Sequence, residues 1–137
     1  MIVLASQSAA RRAMLTAAGV AHDALPAHID EDGVTAGLQA EGASPEHIAD
    51  ALAELKAVKI SRSLPGVLVL GADSVVVTAD GALIAKPETR PRAEAQLRQL
   101  AGTTHRLISA AVIAENGTPV WRAGGAARCD RARCCGW

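Results

Sequence analysis

Apolar positions along the chain fall into two periods. Ile2-Val3-Leu4-Ala5 is a short apolar run with two β-branched members, closed by the polar trio Ser6-Gln7-Ser8, and reads as a strand followed by a turn. A helix is expected next. Ser8 is its N-cap, Met14, Leu15 and Ala18 supply an apolar face, and Gly19 stands where a left-handed C-terminal residue is wanted. Val20 to Leu25 reads as a second strand ended by Pro26, and the acidic, Gly-rich stretch 30–44 reads as loop. Ser44-Pro45-Glu46 then starts the firmest helix, with Pro at its first position and Ile48, Leu52, Leu55 and Val58 at helical spacing before Pro65-Gly66 ends it.

Beyond residue 66 the period changes to two. Val67 to Leu70 is a fully apolar strand and Ser74 to Thr78 a second one after a break at Gly71-Ala72-Asp73; Asp80-Gly81 turns the chain into Ala82 to Ala85, stopped by Lys86-Pro87. A third helix is expected from about Pro91 to Leu100, then a hairpin of Leu107 to Ala114 and Pro119 to Arg122 around Asn116-Gly117. Helices and strands alternate first and hairpins follow. The class is therefore mixed α/β, a mixed sheet with flanking helices, without internal repeat or long linker.

Composition sharpens this picture. The chain has 137 residues, half of them apolar, enough for one domain with a core that needs neither disulfide nor structural metal. It contains no Phe or Tyr, so Val, Ile, Leu and Ala must fill that core. With 14 basic and 14 acidic side chains the formal charge is zero, which argues against a nonspecific nucleic-acid binder and against a polybasic membrane-surface protein. No apolar run approaches the roughly 20 residues of a membrane span, the first residues lack a secretory pattern, and the cytoplasm is the expected compartment. The neutrality is a cancellation: from Arg122 onward four arginines face only Asp130, and Cys129, Cys134, Cys135 and both tryptophans lie at or beyond Trp121. The cysteines lack zinc-ribbon spacing and read as free thiols.

Candidate chemistry lies at a few positions. Arg11 and Arg12 sit in the first turn of the first helix, where the backbone dipole disfavours cations. Either they point into solvent, or they and the Ser6 and Ser8 hydroxyls converge on a bound phosphate. Asp73, directly after an apolar strand, suits a general base or metal ligand; its bland alternative is a turn cap. Lys86 could return to the same sheet edge, or be a solvated edge lysine. Asp30, Glu31 and Asp32 form an oxygen-rich cluster that suits a hard cation or simply solvates a loop, and Lys56 beside the apolar stripe either reaches a phosphate or snorkels. Walker, dinucleotide, zincin and nucleophile-elbow patterns are absent, and His22, His28, His47 and His105 are scattered.

Taken in order, these segments resemble the Maf family of nucleoside triphosphate pyrophosphatases. Leu4-Ala5-Ser6-Gln7-Ser8-Ala9-Ala10-Arg11-Arg12 is similar to the family's opening signature, Ile29-Asp30-Glu31 to its acidic loop, and Leu52-Ala53-Glu54-Leu55-Lys56-Ala57 to its Lys-bearing helix. Gly71-Ala72-Asp73-Ser74-Val75-Val76-Val77 through Lys86-Pro87 resembles its central hairpin, and Ala101-Gly102-Thr103-Thr104-His105 a later segment. Five motifs in the right order, over about residues 2 to 122, are far more specific than any one of them.

The resemblance implies a two-lobed Maf/ITPase-like α/β architecture and hydrolysis of a nucleoside triphosphate to the monophosphate and pyrophosphate, assisted by Mg²⁺ or Mn²⁺. By position, it implies that Asp73 activates water, that Arg11, Arg12, Lys56 and Lys86 hold the triphosphate with Ser6 and Ser8 nearby, and that Glu31 and Asp73 hold the metal. A homodimer is expected by analogy, and no nucleic-acid polymer or membrane as partner. Family members continue beyond the last hairpin, so the expected domain is 1–122, incomplete at its C-terminus, with 123–137 a disordered tail foreign to the family. The competing readings are a noncatalytic nucleotide-binding or division-regulating remnant, and a generic phosphate binder built on the first helix.

Overall fold

The computed structural model describes residues 1–84 and 104–130, with positions 91, 94–96 and 98 between them. The chain folds as β1 (Ile2–Leu4), α1 (Ala9–Ala17), β2 (His22–Ala24), α2 (Glu31–Ala40), α3 (Pro45–Ser63), β3 (Val69–Thr78), β4 (Leu83–Ile84), β5 (Thr104–Glu115) and β6 (Thr118–Asp130). One mixed sheet runs in the order β2-β1-β3-β5-β6, with β4 on β3. Its β2-β1-β3 half is parallel and its β3-β5-β6 half antiparallel, as a mixed α/β reading requires. The positions described between 91 and 98 are helical, where the third helix was expected; Lys86 lies outside the described residues.

Local signals explain most of the boundaries. The Ser8 hydroxyl accepts from the Arg11 amide at 3.3 Å and the Ser44 hydroxyl from the His47 amide at 3.1 Å, so both helices begin at the caps the sequence names. Asn116 and Gly117 both adopt positive φ, the geometry a tight two-residue hairpin turn demands. The Asn116 side chain accepts from the Gly66 amide at 2.9 Å and the Gly117 amide donates to the Ser61 hydroxyl at 2.8 Å, which ties the β5–β6 turn to the end of α3.

Three expectations are corrected. Residues 31–40 are helix rather than loop, because the Asp30 carboxylate caps the Gly33 amide at 3.1 Å and Glu31 and Asp32 complement the helix dipole. Gly71-Ala72-Asp73 is no break: β3 is one ten-residue strand paired with β5 from Val69↔Ala114 to Thr78↔His105. Gly71 is there for close packing, since a Cβ would overlap the Ala53 carbonyl oxygen and lie 2.9 Å from the Ala57 Cβ. Residues 123–130 are not a disordered tail; they form the second half of β6, paired with β5 through Thr104↔Asp130. A strand of β5's length offers a ladder that any extended segment able to donate and accept can complete. Residues 131–137 lie outside the described residues.

α3 packs on one face of the sheet through Ala49, Ala53 and Ala57, all fully buried, against Val77, Ile108, Ala110, Val112 and Ala114. A second cluster of Val3, Ala5, Ala27, Ile60 and Val69 lies beside it, so small aliphatic side chains do fill the core. Arg122 of β6 bonds Asp50 and Glu54 of α3, where the basic end of the sequence meets the acidic body. On its β1 side, β3 is paired at Val69 and Leu70 with β1 and at Val76 and Val77 with β4. Residues 71–75 therefore face a window in the sheet, and the site is built around it.

Candidate active site

β1 ends at Leu4 and the chain turns at Ser6 into α1. The Ser6 hydroxyl accepts from the Ser8 amide at 3.0 Å and from Arg11 Nη1 at 3.4 Å, which orients the guanidinium over the strand end. Opposite, α3 delivers Lys56 into the window. Its ammonium donates to Asp73 Oδ1 at 3.1 Å and to the Ala72 carbonyl at 3.3 Å, the latter an acceptor that β1 no longer satisfies. The same ammonium lies 2.5 Å from Glu31 Oε1. Lys56 and Asp73 are both buried, and Glu31 is about one-third exposed at its side chain.

Burial pushes the Asp73 carboxyl above the usual carboxylate range; Lys56, by charge and hydrogen bond, offsets part of that, Glu31 adds to it, and Arg11 opposes it. A carboxylate reluctant to stay charged is a better proton acceptor than an ordinary aspartate.

Two hollows meet at this window. The polar one, about 390 Å³, is lined by Ser6, Ser8, Arg11, His28, Glu31 and Lys56 among others. The apolar one, about 360 Å³, is bordered by Met14 and Leu15 of α1, Ala72, Asp73 and Ser74 of β3, Ser109 of β5, and Gly124 and Gly125 of β6. Arg11 borders both. An extended ligand with one charged and one apolar end would thus cross from one hollow to the other beside Arg11 and Asp73.

Of the side chains singled out in the sequence, Ser6, Ser8, Arg11, Glu31, Lys56 and Asp73 gather here. Arg12 does not: one step along a helix turns the side chain by about 100°, and it lines a separate depression with Ala9, Ala13, Thr16 and His22. Ser74, Ser109 and the glycines of β6 carry no motif that names them as site residues. For Ser74 the signal was strand alternation, which puts it on the face opposite Asp73; for Ser109, Gly124 and Gly125 it was a β5–β6 register that no local pattern specifies.

As to a metal, Glu31 and Asp73 offer hard oxygen donors that already converge on one cation, the Lys56 ammonium. No group of three or more His, Cys, Asp or Glu gathers among the described residues. Such a pair fits Mg²⁺, which is commonly bound by one or two carboxylates with phosphate and water oxygens completing the shell.

The chain is similar to known proteins both in structure and in sequence. In structure the chain is similar to a HAM1 protein from Coxiella burnetii, with TM-score 0.61 and 18% identity over 94% of this chain and 71% of that one. It is also similar to a nucleoside-triphosphatase (dITP/XTP pyrophosphatase) from Mycobacterium abscessus, with TM-score 0.51 and 16% identity over 93% and 70%. In sequence it is 56% identical over 127 residues to a nucleoside triphosphate pyrophosphatase of Sphingopyxis alaskensis, covering 93% of this chain and 64% of the relative. It is 45% identical over 121 residues to a 7-methyl-GTP pyrophosphatase of Mesorhizobium japonicum, covering 88% and 60%. The chain thus spans somewhat under two thirds of the length of these two relatives. The profile of Maf-like proteins matches residues 1–131, and with the relatives above it shows that the chain belongs to the Maf-like family.

Proposed function

We propose that this chain hydrolyses a nucleoside triphosphate to the monophosphate and pyrophosphate. The observation that carries the reading is the Asp73–Lys56–Glu31 cluster standing, with Arg11, at the junction of a polar and an apolar hollow. The triphosphate occupies the polar hollow, where Arg11, Lys56 and the serine hydroxyls offset its charge, and the nucleoside the apolar one. The phosphorus at the junction is then the α-phosphorus. Asp73 accepts a proton from water as the water oxygen bonds to that phosphorus; the bond from the α-phosphorus to the bridging oxygen breaks, and pyrophosphate leaves with the electron pair. A divalent cation on Glu31 and Asp73 would supply charge neutralisation at the phosphate oxygens. The names of the relatives and the neighbouring folds support the same reaction class.

A noncatalytic nucleotide-binding remnant of the family is the second reading. Pyrophosphate release from a nucleotide panel with Mg²⁺ or Mn²⁺ separates the two. The hydrolase reading expects release that Asp73→Asn reduces by at least about a hundredfold. Nucleotide binding without any pyrophosphate would leave the remnant.

A further inference from the structure

We propose that the paired hydroxyls of Ser74 and Ser109, with the bare backbone of Gly125 beside them, form the base-reading floor of the apolar hollow. The inference rests on the nucleotide reading above. Directly paired residues of neighbouring strands point to the same face, so the registers Ser74↔Ser109 and Ser109↔Gly125 place these three in one row across β3, β5 and β6. The adjacent row is Ala72, Ala111 and Ala123. Both rows lie on the face opposite α3, under Met14 and Leu15 of α1, and their small side chains are what makes the surface concave.

The Ser74 and Ser109 hydroxyls share a hydrogen bond of 3.0 Å and both residues are exposed. One bond between two hydroxyls uses one O–H and leaves the other, with free lone pairs, directed to whatever fills the hollow. Apart from Arg11 and Asp73, which belong to the phosphate chemistry, these are the polar side chains among the described lining residues. An apolar cavity of a few hundred Å³ with a few polar groups is what recognises a flat, apolar body with a polar edge, and a nucleobase is such a body. Gly125 adds no side chain to this floor: a Cβ built there meets no atom within 4 Å, so the backbone stays open to whatever fills the hollow.

Binding to non-hydrolysable α,β-methylene analogues of the four nucleoside triphosphates, their deoxyribose forms, and inorganic tripolyphosphate tests this in the intact chain. The unaltered protein should discriminate among bases. The Ser74→Ala/Ser109→Ala double variant should narrow that spread and weaken the best nucleotide about tenfold more than tripolyphosphate, with Ser109→Thr retaining discrimination. Gly125→Val should weaken all four nucleotides about tenfold relative to tripolyphosphate, giving a second route if the double variant fails to fold. The proposal is overturned by an unchanged spread, by absence of discrimination in the unaltered chain, by equal losses for tripolyphosphate, or by a change confined to the ribose-to-deoxyribose ratio. Affinities need no turnover, so failure of hydrolysis alone sinks the enzymatic reading and leaves these ratios readable.

Discussion

Lys56 of α3 and Asp73 of β3, 17 residues apart in sequence, meet in the interior with Nζ 3.1 Å from Oδ1, and the fold positions everything else in the site around that pair. Gly71 lets the helix approach the strand, and the end of β1 opens the edge on which Lys56 also finds the Ala72 carbonyl.

Stability should depend on pH through Asp73. Because burial raises the Asp73 carboxyl above 3.8, the folded state holds that proton more tightly than the unfolded chain does. Stability then falls as pH rises from the unfolded value through the raised folded one, and above that window the ionised carboxylate remains a net cost. Asp73→Asn should therefore raise the melting temperature at neutral pH, with the gain vanishing in acid, while hydrolysis is lost. Thermal melts across pH check the first half.

Removing the other partner should have the opposite sign. Lys56→Met leaves the buried Asp73 and the part-buried Glu31 without their shared cation, at a cost of about 3 kcal/mol in unfolding free energy measured with urea. A change below about 1 kcal/mol would mean that Lys56 does not compensate the buried carboxylates.

The two arginines should separate. Arg11 borders both hollows and bonds Ser6, whereas Arg12 lines another depression, so Arg11→Ala should weaken triphosphate binding at least about tenfold more than Arg12→Ala. Titration calorimetry with a non-hydrolysable analogue reads the ratio directly; equal losses would contradict the assignment.

Gly71→Ala forces a methyl against the Ala53 carbonyl and Ala57, and α3 must move away from β3. The expected cost is about 2–3 kcal/mol by denaturant unfolding. Since the same shift withdraws Lys56 from Asp73, kcat should fall as well, whereas Gly125→Ala should leave stability within about 1 kcal/mol.

Local chemistry was legible where one segment decides its own conformation. Ser8 and Ser44 as caps, Asn116-Gly117 as a turn, and the helical spacing of Ile48 and Leu52 needed no knowledge of the rest of the chain, whereas Leu55, at the same spacing, stays exposed. The ordered motifs named the family and brought Arg11, Lys56 and Asp73 into one hypothesis. Residues 31–40 read as loop because two glycines and an acidic run hide a helix whose cap, Asp30, is as common in loops. Gly71 reads as a break because glycine in a strand has two causes, a turn or a close neighbour, and only the neighbour's position distinguishes them.

By itself the sequence determined which side chains could bind phosphate or accept a proton, because charge and hydrogen-bonding capacity belong to the residue wherever it lies. Which of them share a site was a tertiary matter. A helix turns adjacent arginines to different hollows, and strand register alone sets Ser74 beside Ser109 and Gly125. The serine pair lies 35 residues apart in sequence, and Ser61 and Gly117, which tie the hairpin turn to α3, lie 56 apart, distances over which no local periodicity carries information.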